Sequence, residues 1–209
     1  GEPTFTREAR TLDNGYGGFL QDGSYAIDVL TERTTPAPWA NILANDTAGI
    51  LLTERAGGFL WQGNSRSGRL TAFGNDALSE GWGLMLYLVN PESGEAVRLL
   101  PGDRPDTNFR VRFNAAQASY AFQTQRLSGS VDFCVRDNAP EIRVRASLAN
   151  HGLTGEKFHL IGFVDWLMGT DAQDAVWLRT WSEGGACFAS GTAAGVGYFA
   201  AADEKVCAG

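Results

Sequence analysis

With 209 residues and a formal charge of −7, the chain has the size of one large domain. It lacks the basic surface that a phosphate backbone demands, which excludes nucleic acid as a partner and disfavours anionic lipid. Apolar residues make up 44% and charged residues 20%, as in ordinary globular proteins. The 26 glycines and 12 phenylalanines, against 17 lysines and arginines, favour short strands and turns over long helices. No stretch approaches the ~20 apolar residues of a membrane helix, and no leader pattern opens the chain.

Residues 1–11 are polar and without period, and read as a loosely held lead-in to a domain spanning 12–209. Gly1 in place of an initiator methionine reads as a piece of a longer chain. Asp13-Asn14-Gly15 and Gly17-Gly18 are turn chemistry around Tyr16 and Phe19. Asp22-Gly23 turns into a strand at Tyr25–Val29. Pro36 and Pro38 then stiffen an extended lead into Trp39. Gly49–Leu52, Gly57-Gly58 and Phe59–Trp61 predict a hairpin. Beyond Trp61 comes a loop dense in hydrogen-bonding side chains. Trp82 and Leu84–Val89 predict a strand buried on both faces, with a short return strand at Glu95–Leu100.

From Phe109 the pattern alternates. Phe109, Val111 and Phe113 face one way, with Arg110 and Arg112 opposite. Val131, Phe133 and Val135 repeat it, as do Ile142, Val144, Ala146 and Leu148 with Arg143 and Arg145 outward. A period of two means half-buried antiparallel strands with one wet face. Phe158–Leu167 predicts one further strand, and Gly184-Gly185, Cys187–Ala189 and Val196–Ala200 a last hairpin. Nothing shows helical periodicity beyond two turns. Strands about ten residues apart with turns between them predict an all-β sandwich.

Three blocks carry a family resemblance: Asn14 to Phe19, TPAPWANILAN at Thr35–Asn45, and Gly58–Asp76 containing NSRSGRLT at Asn64–Thr71. Phe163–Leu167 extends it. In order and spacing they resemble the N-terminal domain of glycoside hydrolase family 94, formerly glycosyltransferase family 36. That family contains cellobiose and chitobiose phosphorylases and cyclic β-1,2-glucan synthases. The resemblance implies a large antiparallel two-sheet β-supersandwich, related to the galactose mutarotase fold. It implies further that the catalytic aspartate and the phosphate site belong to a helical barrel domain outside this sequence. Inorganic phosphate would bind there, so no cofactor is expected here.

No catalytic residue is therefore assigned, and no turnover is expected of this chain alone. Asp76, Glu80 and Asp165 read as turn or cap residues, Trp39 as core, His151 as an exposed turn residue and His159 as the outward residue of a strand. Cys134, Cys187 and Cys207, widely spaced and without a CxxC pair, read as buried reduced thiols and not as a metal site. Sugar recognition needs an aromatic face and polar side chains for hydroxyls. Trp61, Asn64, Arg66, Arg69, Asn75 and Asp76 supply both within one segment, and are the candidate substrate-binding residues. The alternative for that loop is that its arginines and Asp76 tie it down or dock a barrel. The resemblance implies β-linked glucosides or oligosaccharides as ligands, a helical barrel in cis or on a partner chain, and homodimerisation. It implies a location in the cytoplasm, or at the cytoplasmic face of the inner membrane in a glucan synthase. Two other readings stay open: a free-standing carbohydrate-binding module, favoured by solvent-facing tryptophans, and a structural docking domain. A mutarotase-like enzyme is disfavoured by the two histidines.

Overall fold

The computed structural model describes residues 5–6, 8–72, 83–191 and 196–200. In chain order the first strands are β1 (Gly17–Phe19), β2 (Tyr25–Val29), β3 (Ala40–Ala44), β4 (Ala48–Thr53), β5 (Gly58–Gln62), β6 (Arg69–Thr71), β7 (Leu84–Val89) and β8 (Ala96–Arg98). There follow β9 (Phe109–Phe113), β10 (Ala118–Gln123), β11 (Leu127–Val135), β12 (Ile142–Asn150), β13 (His159–Val164) and β14 (Trp166–Gly169). A short 3-10 helix, Ala172–Trp177, precedes β15 (Arg179–Glu183), β16 (Ala186–Ser190) and β17 (Val196–Ala200). All pairings are antiparallel, as the short connections require.

One layer is a six-stranded sheet of order β1-β2-β9-β10-β11-β12. The opposing layer is a five-stranded sheet, β14-β6-β5-β4-β3, with a three-stranded sheet, β13-β7-β8. Their inner faces share one core: Ile27 and Val29 of β2, Ile50 and Leu52 of β4, Leu84, Leu86 and Leu88 of β7, and the alternate apolar residues of β9 to β11. Tyr120 is fully buried at its centre. Its ring meets Phe113 and Phe133 edge-on, and its hydroxyl donates to Thr53 O at 2.6 Å, satisfying the phenol while bridging the layers. The all-β supersandwich reading holds.

Several local expectations are corrected. The described part of the lead-in, residues 5–6 and 8–11, is tied to the sheet. Thr11 pairs with Phe19, the Arg10 side chain is buried against Asp28, and Arg110 donates to Thr6 O and to Asp28. Arg110 is consequently 7% exposed; the face of β9 expected to be wet is covered by the N-terminal segment. In β7 only Leu84, Leu86 and Leu88 are buried, while Met85, Tyr87 and Val89 are half-buried. The strand expected over Phe158–Leu167 breaks at Asp165, which is exposed. There the backbone changes partners: Asp165 N donates to Gly83 O and Ala72 N donates to Asp165 O, so β13 stays with β7 while β14 joins β6. The last hairpin is a three-stranded meander, β15-β16-β17. Cys187 is exposed and Cys134 half-buried, so neither is the buried thiol expected; Cys207 lies outside the described residues.

Candidate functional site

The TPAPWANILAN segment is architecture. Glu54, in the turn after β4, is completely buried. Its carboxylate accepts from the Thr35 hydroxyl and from Trp39 N at 2.7 Å. Arg55 lies beside it at 3.4 Å and donates to Thr35 O at 3.0 Å. A buried charge must be paired and hydrogen-bonded to persist, and here the proline-stiffened lead supplies two of the donors. Trp39 packs half-buried on the core, with Tyr16 and Tyr25 edge-on to its indole. Asn41 donates to Asn114 O in the β9–β10 turn. Asn45 donates to Arg136 O and Ala139 O in the β11–β12 turn. The motif's two asparagines thus stitch one layer to the other. In that far turn Arg143, then Arg136, hydrogen-bond Glu141 and hold its carboxyl below the usual carboxylate range.

The Trp61–Thr71 stretch lies on the other face. Ile50, Leu52 and Leu60 pack toward the core, so alternation turns Phe59 and Trp61 to the outer face of the five-stranded sheet. Trp61 is half-buried, its indole lying across Gly49 of β4; a Cβ there would come 2.2 Å from the ring, so only glycine admits it. Phe59 and Trp61 meet at 5.4 Å, and the Arg69 guanidinium sits 4.9 Å over the Phe59 ring. The Asn64 side chain accepts from Arg66 N and Ser67 N at 2.9 and 3.0 Å, the turn that asparagine forms with its own backbone. Arg66 is exposed at the loop tip. The structure therefore brings Trp61 and Arg69 together on one outer face and places Asn64 and Arg66 at its rim. Asn75 and Asp76, with Glu80 and Trp82, lie outside the described residues.

Asp171 caps the 3-10 helix by accepting from Gln173 N at 2.8 Å, and Asp174 accepts from Thr170 N and Asp171 N, so both carboxylates serve their own turn. His151 is an exposed turn residue and His159 points outward. A partner for His151 was hidden by sequence distance: Ser128 Oγ lies 2.7 Å from its Nε2, both groups exposed. Among the described residues no three His, Cys, Asp or Glu converge on a metal-sized site.

Two features escaped sequence reading. Sequence analysis singles out neither Glu54 nor Arg55, although Thr-Glu-Arg before a Gly-Gly pair follows directly on an apolar strand. The second is an aromatic row. Gly184 and Gly185 both have positive φ, 58° and 82°, the backbone of a tight two-residue hairpin turn. That register places Trp181 opposite Phe188 and Phe188 opposite Tyr198, one ring per strand. The signal was available in the Gly-Gly turn and the parity of its flanks.

The layered antiparallel sheets define a β-supersandwich domain. The family model for the glycosyl hydrolase 94 supersandwich domain matches residues 23–182, and the chain belongs to that family. It is similar to the cyclic beta-(1,2)-glucan synthase NdvB of Rhizobium meliloti, 26% identical over 161 residues. That match covers 76% of this chain but 6% of the relative. The chain thus spans a small fraction of the length of the curated relative it matches.

Proposed function

We propose that this chain is an accessory carbohydrate-associated domain of a family 94 type enzyme, a glycoside phosphorylase or a cyclic β-1,2-glucan synthase. In this reading it forms part of a sugar-binding face and takes part in assembly, while bond cleavage belongs to a helical barrel domain in cis or on a partner chain. One observation carries it: Trp61 is turned away from the core onto the outer sheet face, with Arg69 opposite it in register and the exposed Arg66 at the tip of the adjoining loop. An indole for C–H faces and guanidinium donors for hydroxyls are what a neutral sugar requires. Asn64, and Asn75 and Asp76 from the same segment, complete the proposed substrate-binding set. The similarity to a protein named as a glucan synthase favours β-linked glucosides over other sugars.

The same reading assigns the domain no catalytic role and no cofactor of its own. The most buried carboxylate described, Glu54, is consumed by Thr35, Trp39 and Arg55. Among the described residues no helix is long and apolar enough to cross a membrane. A cytoplasmic location, or the cytoplasmic face of the inner membrane, is part of the proposal, as is homodimerisation. The test is calorimetric titration of the chain with β-linked gluco-oligosaccharides, alongside an assay for sugar phosphate release with inorganic phosphate present. Weak saturable binding without turnover is expected, and Trp61→Ala and Arg66→Ala are expected to alter its enthalpy. Turnover by the chain alone, or no binding at millimolar sugar, contradicts the reading.

A further inference from the structure

We infer that the segment carrying residues 5–6 and 8–11 is an ionic strap with an opening equilibrium of its own. Asp28 and Glu8 latch it across the outer face of β2 and β9, and it swings clear while both layers of the sandwich stay folded. The segment reads FTREART, and its only apolar side chains are Phe5 and Ala9. Ala9 is exposed, and the Phe5 ring covers the Arg110 guanidinium at 4.9 Å. So little apolar area is removed from water that the hydrophobic effect is too small to hold the segment down. Charge holds it instead. Asp28 and Arg110 face each other in the β2–β9 register. Arg110 Nε reaches one Asp28 oxygen at 3.0 Å, and Arg10 Nη2, from the strap, reaches the other at 2.8 Å. Arg110 also donates to Thr6 O at 2.9 Å, and Arg112 pairs with Glu8. Thr11 closes the strap with two backbone hydrogen bonds to Phe19, each 2.9 Å.

One carboxylate, Asp28, thus serves two guanidiniums whose side chains are 2% and 8% exposed. A buried charge that loses its partner must regain either a partner or water. Here water is close at hand. Arg110 lies on the face of β9 opposite Phe109, Val111 and Phe113, which fill the core. Lifting the strap therefore rehydrates Arg10 and Arg110 without opening the space between the layers. Its cost is the cover of one phenyl ring, the Thr11–Phe19 hydrogen bonds and the ion pairs themselves. The closed state is also incompletely satisfied, because Arg10 Nε finds no hydrogen-bond acceptor among the described residues. The Glu8–Arg112 pair is half-exposed and so is screened by salt. The strap is a low-stability unit on a more stable sandwich, and ionic strength is the signal that shifts it. Opening bares Arg110 and Arg112 together on one strand face.

The test is native-state amide hydrogen exchange of the full chain, read by NMR in rising sub-denaturing urea. In the wild type, the Thr11 and Phe19 amides are expected to exchange with a shallow urea dependence, since opening exposes little surface. Tyr120 and Phe122 on β10 are expected to show the steep dependence of global unfolding. Asp28→Asn is expected to speed exchange at Thr11 and Phe19 about tenfold, with a change below about threefold at Tyr120 and Phe122. Glu8→Gln, and sodium chloride raised to about 1 M in the wild type, are each expected to speed the strap amides about twofold. Gly18→Ala pries the strap up without touching a charge, because its Cβ would stand 3.0 Å from both Arg10 Cβ and Thr11 O. It is expected to accelerate the same two amides, and it keeps the test open if Asp28→Asn fails to fold. One shared urea dependence for strap and β10 amides overturns the independent opening. Strap amides indifferent to salt, or equal acceleration of strap and β10 amides in Asp28→Asn, overturn the ionic latch.

Discussion

Two regions of the molecule use aromatic side chains in opposite ways. Around Tyr120, buried rings from β9, β10 and β11 meet edge-on, and the phenol is satisfied by Thr53. Around Phe188, rings from three strands stand in a row facing solvent. Both clusters arise from strand alternation, yet among the described residues only the first has a second layer above it. Burial makes the first a determinant of stability, whereas the second contributes little to the core. The outer face bearing Trp61 is intermediate, half-covered by its own Arg69 and Gly49.

This contrast predicts a gradient of substitution effects. Tyr120→Ala removes a buried ring and its interlayer hydrogen bond, and is expected to cost about 3–5 kcal/mol in urea denaturation. A loss below about 1 kcal/mol would mean the layers do not share one core. Glu54→Ala strands the buried Arg55 guanidinium and the Thr35 hydroxyl, with an expected cost of about 3–5 kcal/mol. Retention of wild-type stability would show that the TPAPW lead is not latched by that carboxylate. Gly49→Ala pushes the Trp61 indole off β4, costing about 1–3 kcal/mol and moving its fluorescence to the red; unchanged emission would place the ring elsewhere. At the aromatic row, Trp181→Ala is expected to change stability by less than about 1 kcal/mol. A larger loss would make that row a core element and erase the distinction.

The smallest effect concerns Glu141. Its carboxyl is held below its ordinary value by Arg143 and Arg136, so its contribution is present above the unfolded-state value and lost as pH falls through the folded one. The denaturation midpoints of wild type and Glu141→Gln should differ slightly near neutral pH and converge in acid. A gap that widens on acidification would reverse the assignment.

The sandwich class was legible because alternation from Phe109 to Leu148 is a local property that survives into the fold. The role of TPAPWANILAN was not, because its asparagines act across the sandwich: Asn45 reaches Arg136 and Ala139, some ninety residues away. Pairing of Glu54 with Arg55 inside a turn was invisible for a related reason, since charge next to charge usually reads as solvent. Alternation also misjudged Arg110, where an outward residue is buried by a segment that carries no period of its own. At the candidate loop the residue types were legible, but not that Asn64 spends its carbonyl oxygen on the turn itself. The aromatic row went unread because its three members belong together only once the register of the Gly184-Gly185 turn is known.

The central proposal is that this chain contributes a sugar-binding surface at the Trp61 loop without acting on the sugar. Saturation-transfer NMR of a β-1,2-linked glucose oligosaccharide with the full chain tests it most directly. Saturation of the glucosyl ring protons, with an unchanged product spectrum after prolonged incubation with phosphate, is the predicted result. No transfer to the sugar at any millimolar concentration, or the growth of product signals, would contradict it.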